Sequence, residues 1–356
     1  MTKRQREPWF RLDPLTRKRV DRFKSIRRGY WSLLLVVGLI VFALLGEIFI
    51  NSRALLVVYQ GRVTLPTYGR VHLGTEFGLD YKYETNYRDL KKKLAETGEG
   101  FVLLAPVPWN AFEQDFKEGT YPPYAPSLSS RHFLGTDAIG RDILARLVYG
   151  FRIAILFAIL YVGITYFIGA AIGGLMGYWG GIFDLVFQRI IEVWEQVPFL
   201  YVVMIIQAIF RPDFGIFLFI FIFFGWSGRT WTVRAMTYRE RERDYVLAAK
   251  SMGAGTWRII SVHIIPNILV VIVTILPFSI SGAISSLTAL DYLGFGLRPP
   301  TPSWGELISQ GLNAYKEAPW ILASVVTAMS LILVMITFIG EGLRDAFDPK
   351  KYTVYK

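Results

Sequence analysis

The 356-residue chain is 53% hydrophobic with a mean hydropathy of +0.38, a composition of polytopic membrane proteins rather than of water-soluble globules. It has no cysteine, which excludes disulfides, thiolate metal sites and cysteine nucleophiles, and His72, His132 and His263 stand too far apart to suggest a metal site. The net charge of +11 is spread as a membrane topology rather than as a nucleic-acid footprint, so neither nucleic acid nor a bound metal or cofactor is expected.

Residues 1–30 carry eleven Lys/Arg against three acids, a cytoplasmic signature. A bilayer core needs about 20 apolar residues per helix. Six runs qualify: Trp31–Ile50, Ile153–Tyr178, Val186–Ile209, Ile216–Val233, Ile268–Leu290 and Trp320–Gly340. The expected fold is all-α and polytopic, with both termini in the cytoplasm. The first run lacks the small-residue spacing of a cleavage site and is expected to stay as an uncleaved span.

Segment 51–131 then lies outside, and its ten Lys/Arg against nine acids suit an exported stretch. Leu55–Leu65 predicts a hairpin around Gly61, Tyr87–Ala95 a short charged helix, and Pro122, Pro123 and Pro126 a linker. The segment is too short for a large core. It is either a cap on the outer mouth or a docking surface for a soluble binding protein.

Next comes a stretch in which Asp137 is placed to cap a helix, Arg141, Asp142 and Arg146 to stay at the interface, and Ile143, Leu144 and Leu147 to face lipid or protein. It predicts an interfacial helix feeding the second span. Leu134, Gly135, Thr136, Asp137, Gly140, Arg141 and Asp142 resemble the Leu-Gly-Thr-Asp-x-x-Gly-Arg-Asp signature of the oligopeptide, dipeptide and nickel permease subfamily.

Gly169, Gly173, Gly177 and Gly181 recur every fourth residue, a small-residue seam for close helix packing. Asp184 is an N-cap or interface residue for the next helix. In the third run Arg189, Glu192 and Glu195 share a face at spacing three. They either line a path through the membrane or sit in cytoplasmic first turns; the shortness of Val197–Phe210 as a span favours the second.

After the fourth run, Gly228–His263 carries seven Lys/Arg against three acids and is cytoplasmic. Within it Leu247–Pro266 predicts a short helix with a small face at Ala248 and Ala249, a sharp turn at Gly253 with Gly255 as a second candidate, and an amphipathic helix halted before Pro266. This loop resembles the coupling loop of binding-protein-dependent ABC importer permeases, Glu-Ala-Ala, three residues, Gly, nine residues, Ile, one residue, Leu-Pro. Leu247, His263 and Ile265 stand where that pattern has Glu, Ile and Leu, whereas Ala248, Ala249, Gly253 and Pro266 keep its spacing.

Leu290–Glu306 is rich in glycine and proline, is expected at the outer face, and is either a plug or a re-entrant cap. It resembles the same subfamily's Phe-Leu-Gly-Leu-Gly, Pro-Pro and Pro-Ser-Trp-Gly stretch, and Phe338–Pro349 resembles the family ending. Arg27–Leu33, the enlarged outer segment, Leu290–Leu297, Gly305–Leu307 and Ala318–Trp320 are most similar to the Yej-type importers of peptides and of microcin C.

The chain thus divides into a basic cytoplasmic segment (1–30), a first span (31–50), an external segment (51–131), a core (132–345) carrying five spans and the coupling loop (245–266), and a tail (346–356). The resemblance implies a permease in a bacterial inner membrane, with a second permease subunit as heterodimeric partner, an ABC ATPase and a periplasmic solute-binding protein. It also implies alternating access, with ATP and Mg held by the ATPase. The sequence has no phosphate-binding Gly-x-x-x-x-Gly-Lys-Ser/Thr loop. A secondary transporter is the alternative, although Pro277 is the only evident break within a span. An intramembrane protease is disfavoured because no histidine falls in a predicted span and no aspartate at a span centre.

Overall fold

The computed structural model describes residues 14–117, 119–210 and 212–348. Residues 1–13 of the basic segment and Pro349 with the rest of the tail lie outside the described residues. Among those described, thirteen α-helices, a 3-10 turn over Gly74–Phe77, a π-helical turn over Ile259–Ile264 and three strands follow in chain order.

Helix α1 (Pro14–Ser25), unanticipated from the sequence, leads into α2 (Arg27–Leu44). The first span therefore begins earlier than Trp31, and it ends at Leu44, with Gly46–Phe49 forming a separate short turn, α3. Its N-terminal end crosses the last helix where glycines meet: a Cβ on Gly29 would lie 3.1 Å from the Gly342 Cα.

Segment 51–131 folds around a small core of its own, Ala54, Val57, Phe77, Tyr87, Leu90, Leu94 and Val102. Strands β1 (Leu56–Tyr59) and β2 (Arg62–Thr64) pair antiparallel, joined by Gln60 and Gly61 at φ 49° and 74°. Both turn residues are left-handed, as a type I′ hairpin requires. Helix α4 (Tyr87–Thr97) is capped by the Asn86 side chain and closed by left-handed Gly98. Strand β3 (Gly100–Leu103) pairs with β1 to complete the order β2-β1-β3. The segment is fastened to the membrane helices by a parallel bridge between Ile50 and Val107 and by Trp109 stacked on His132, ring centroids 4.2 Å apart.

Helix α5 (Ile143–Trp179) is 37 residues long, about 55 Å at 1.5 Å per residue. Helices α6 (Gly181–Glu195) and α7 (Phe199–Ile209) meet at a 58° bend. Pro198 stands at the break; lacking an N–H and restricting Val197, it stops α6 from continuing. The third run is thus a broken span or a re-entrant loop, and the break within a run falls at Pro198 rather than at Pro277, which lies inside the continuous α11 of residues 265–292. Helix α8 (Phe214–Glu240) is followed by the loop helices α9 (Asp244–Ser251) and α10 (Thr256–Arg258) and then by α11 (Ile265–Tyr292). Helices α12 (Trp304–Asn313) and α13 (Pro319–Phe347) complete the described chain. Among the described residues five helices are long and apolar enough to cross a membrane, or six with the bent pair counted as one.

Candidate coupling and translocation sites

At the N-terminal end of α5 no separate helix forms. Residues 132–142 run as turns and bridges, and the helix starts at Ile143 with Asp142, not Asp137, as N-cap, its Oδ1 accepting from the Ala145 N–H at 2.7 Å. Asp137 instead accepts from the Ile139 and Arg141 amides and pairs with the Arg141 side chain at 2.7 Å. Arg141, Asp142 and Arg146 are buried rather than interfacial, Arg146 fully so. The reason is Glu306 of α12, which pairs with Arg141 at 2.6 Å and also with Arg146. Two guanidinium groups and two carboxylates neutralise one another there, the condition under which buried charge is tolerated. Beside them His132 bridges Asp142 at 2.8 Å and Asp115 at 3.3 Å. Leu134, Gly135, Thr136 and Gly140 shape this clasp: Gly135 and Gly140 have φ of 78° and 88°, and the Thr136 carbonyl accepts from Trp320 Nε1 at 3.3 Å. Nothing local in the sequence links Arg146 with Glu306, 160 residues away.

The Leu290–Glu306 stretch belongs to the same assembly. Asp291 accepts from the Leu297 amide at 2.7 Å and the Ser303 hydroxyl at 2.5 Å, closing the loop on itself. Trp304 is buried and donates to the Leu147 carbonyl at 3.0 Å. Arg298 donates to the Gln207 carbonyl at 2.6 Å, tying the end of α7 to the loop. This geometry is that of a brace between helices.

Toward the other end of α5, Gly169, Gly173 and Gly177 face α8. A Cβ on them would lie 2.8 Å from Arg229, 2.5 Å from the Thr230 carbonyl and 2.6 Å from Thr237, respectively. Gly181 departs from this seam: it opens α6 at φ 55°, and a Cβ there would meet no atom within 4 Å. Asp184 holds Arg234 of α8 through two hydrogen bonds of 2.5 and 2.6 Å, while Arg241 donates to the Gly177 carbonyl at 3.1 Å. On α6 Arg189 pairs with Glu192 at 2.5 Å on an exposed face, and Glu195 accepts from Trp231 Nε1 at 3.2 Å.

The loop after α8 has a defined stop. The Gly253 amide bonds to the Lys250 carbonyl and the Ala254 amide to the Ala249 carbonyl, both at 3.0 Å, with Gly253 at φ 83°. These are the paired bonds of a Schellman motif. Gly255 has an ordinary φ of −70° and serves as N-cap of α10. The second helix is not halted before Pro266. A π-helical turn over Ile259–Ile264 carries it into α11, where Pro266 sits in the first turn. A proline there would crowd the Val262 carbonyl in a regular helix, and the wider turn relieves that. Ile265 is half-buried and lies beneath Gly174, where a Cβ would stand 3.8 Å from it.

Ala249 and Val246 are buried, whereas Leu247, Ala248 and Gly253 face outward. Met252 and Trp257 are 82% and 68% exposed, an apolar surface no segment of this chain covers among the described residues. Tyr245 bonds to Glu240 of α8 at 2.7 Å and accepts from Asn267 of α11 at 3.2 Å. Desolvation of its hydroxyl and the Glu240 carboxylate push its phenol up to about 12, so it remains a neutral donor. The loop is thereby latched to two spans at once, by residues that carry no motif in the sequence.

Residues 169–352, which include this loop, match the family described as binding-protein-dependent transport system inner membrane component. The chain belongs to that family. It is 38% identical to the inner membrane ABC transporter permease protein YejE of Escherichia coli, over 96% of this chain and 99% of that protein. Its identity with the peptidoglycan transport system permease protein YejE of Agrobacterium fabrum is 36%, over 97% of this chain and 95% of the relative. With the oligopeptide permease OppC of Haemophilus influenzae it is 35%, over 70% and 80%. The chain is an inner-membrane permease subunit of a binding-protein-dependent ABC importer and not an enzyme; ATP hydrolysis and cargo capture belong to separate ATPase and solute-binding subunits. The secondary-transporter alternative falls away with that membership.

Proposed function

We propose that this permease forms half of a two-permease pore, with both termini in the cytoplasm, and that the ATPase grips it at Leu247–Val262. The observation that carries the proposal is the Schellman-stopped loop with Leu247, Met252 and Trp257 exposed and with Tyr245 latched to α8 and α11. In this reading ATP and Mg are held by the ATPase, whose closure pushes on a rigid lever rather than on a floppy strand. The lever moves α8 and α11 together and tilts the bundle between outward and inward openings. Leu247 in place of an acid makes the grip apolar at that position. The external segment, with a core of its own against the outer mouth, supports a role as the surface on which the binding protein lands.

The test is purification of the tagged chain from native membranes in mild detergent, mass spectrometry of its companions, and reconstitution. The expected result is an ATPase, a second permease, and ATP-dependent uptake of a labelled tripeptide in the presence of the binding protein. Recovery of the chain alone, or of two copies of it without a second permease, would overturn the assembly.

A further inference from the structure

A cleft of about 400 Å³ opens between the midpoints of α5, α8 and α11, lined by Tyr161, Arg229, Ser279, Gly282 and Ser286 together with the apolar side chains of Ile275, Phe278 and Ala283. Ser279, Gly282 and Ser286 lie three and four residues apart, so α11 sets a strip of small and hydroxyl residues along it between apolar neighbours. Arg229 is the only charge on the lining.

Three arginines of the spans have carboxylate partners, Arg146 with Glu306, Arg152 with Glu47 and Arg234 with Asp184, whereas Arg28 and Arg344, near helix ends, rest on the Phe338 and Phe278 rings. Among the described residues no ion pair or hydrogen bond includes the Arg229 side chain. Its guanidinium instead rests on the Tyr166 ring, 4.9 Å from the centroid, and the Tyr166 hydroxyl lies 3.3 Å from Ser279 Oγ. Its backbone is pressed on α5 at Gly169, where a Cβ would stand 2.8 Å from the Arg229 carbonyl carbon. The residue is thus firmly placed while its donors face the cleft. Charge counting places Arg229 at the start of the cytoplasmic segment, but the structure sets it within α8; an unneutralised charge within a membrane helix is costly and points to a solute path when it faces a cavity. A guanidinium beside hydroxyls is a carboxylate receptor, because its planar fork matches two carboxylate oxygens.

We propose that Arg229 with Ser279 and Ser286 forms a transient site for the C-terminal carboxylate of the peptide in transit. The proposal rests on the peptide-importer reading and adds the part of the cargo that this chain recognises. The site is shallow and offers one charge, so it holds the terminus while leaving the side chains unread. That suits a pore whose cargo has been selected beforehand by a binding protein.

The complete transporter, reconstituted with ATPase, partner permease and binding protein, tests this through a cycle of two cargoes and two pores. Uptake of a tripeptide with a free C-terminus and of its C-terminal amide is compared in wild type and Arg229→Gln. Preference of the binding protein for either cargo cancels in the ratio of ratios. The expected result is a loss of about tenfold for the free acid in the variant, the scale of one charge-assisted hydrogen bond, with amide uptake unchanged. Arg229→Lys, which keeps the charge, should recover part of the loss. Assembly with the ATPase is checked by co-elution. Equal loss for both cargoes with normal assembly would overturn the proposal and assign Arg229 to pairing with the partner permease; no loss for either would overturn it as well. Wild-type uptake that ignores ATP would overturn the importer reading beneath it.

Discussion

Replacement of Gly253 separates backbone geometry from bulk in the coupling loop. Its φ of 83° is left-handed, yet a Cβ built there has no atom within 4 Å. Within this chain the cost of a side chain is therefore conformational and not steric. An L-residue held left-handed loses about 1–2 kcal/mol, and asparagine loses less because its short amide tolerates that region. A penalty of this size lowers the population of the Schellman-stopped loop by a factor of about 5 to 30. Peptide taken up per ATP hydrolysed in proteoliposomes should consequently fall in the order glycine, asparagine, alanine, valine, while hydrolysis itself persists. The order is diagnostic because asparagine is larger than alanine. Were Gly253→Asn to couple worse than Gly253→Ala, bulk against the docked ATPase would govern the site and the backbone argument would be refuted.

Glu306→Ala leaves Arg141 and Arg146 without their shared carboxylate, and loss of one partner of a buried pair costs about 3–5 kcal/mol; thermal unfolding in detergent should show the drop and Arg146→Met should partly restore it, an additive double mutant being the contrary result. Gly173→Ala places a methyl 2.5 Å from the Thr230 carbonyl and should cost about 1–3 kcal/mol of bundle stability. Gly163→Ala in the same helix meets nothing within 4 Å and should be neutral or slightly stabilising; equal effects would remove the α5–α8 seam from the account. Glu192→Ala and Glu195→Ala should leave uptake nearly intact, since the exposed Arg189–Glu192 pair contributes less than about 1 kcal/mol; abolished uptake with normal assembly would place these residues in the path.

Much of this protein is legible in its sequence because the signals are local. An apolar run long enough for a bilayer is a helix whatever surrounds it, so the spans are readable, although their ends shift: α5 starts ten residues before Ile153 because Asp142 supplies the cap. The hairpin at Gly61 and the turn at Gly253 are equally readable, since glycine marks left-handed backbone. Pro266 misleads because a proline is compatible with a helix's first turn, and the π turn that admits it has no sequence signature. Asp137 misleads as well, since a buried ion cluster claims the carboxylate that spacing assigns to a cap.

Sequence alone determined the class, five of the six predicted spans, the small-residue seam at Gly169, Gly173 and Gly177, and the turn at Gly253. All of these rest on interactions within a few residues or on burial in lipid. Only the tertiary structure decided that Arg146 meets Glu306, that Tyr245 joins Glu240 to Asn267, and that Arg229 faces a cleft with no counter-ion among the described residues. Whether a charge inside a membrane is neutralised depends on which helices become neighbours, and that is set by the packing of distant segments rather than by anything adjacent in the chain.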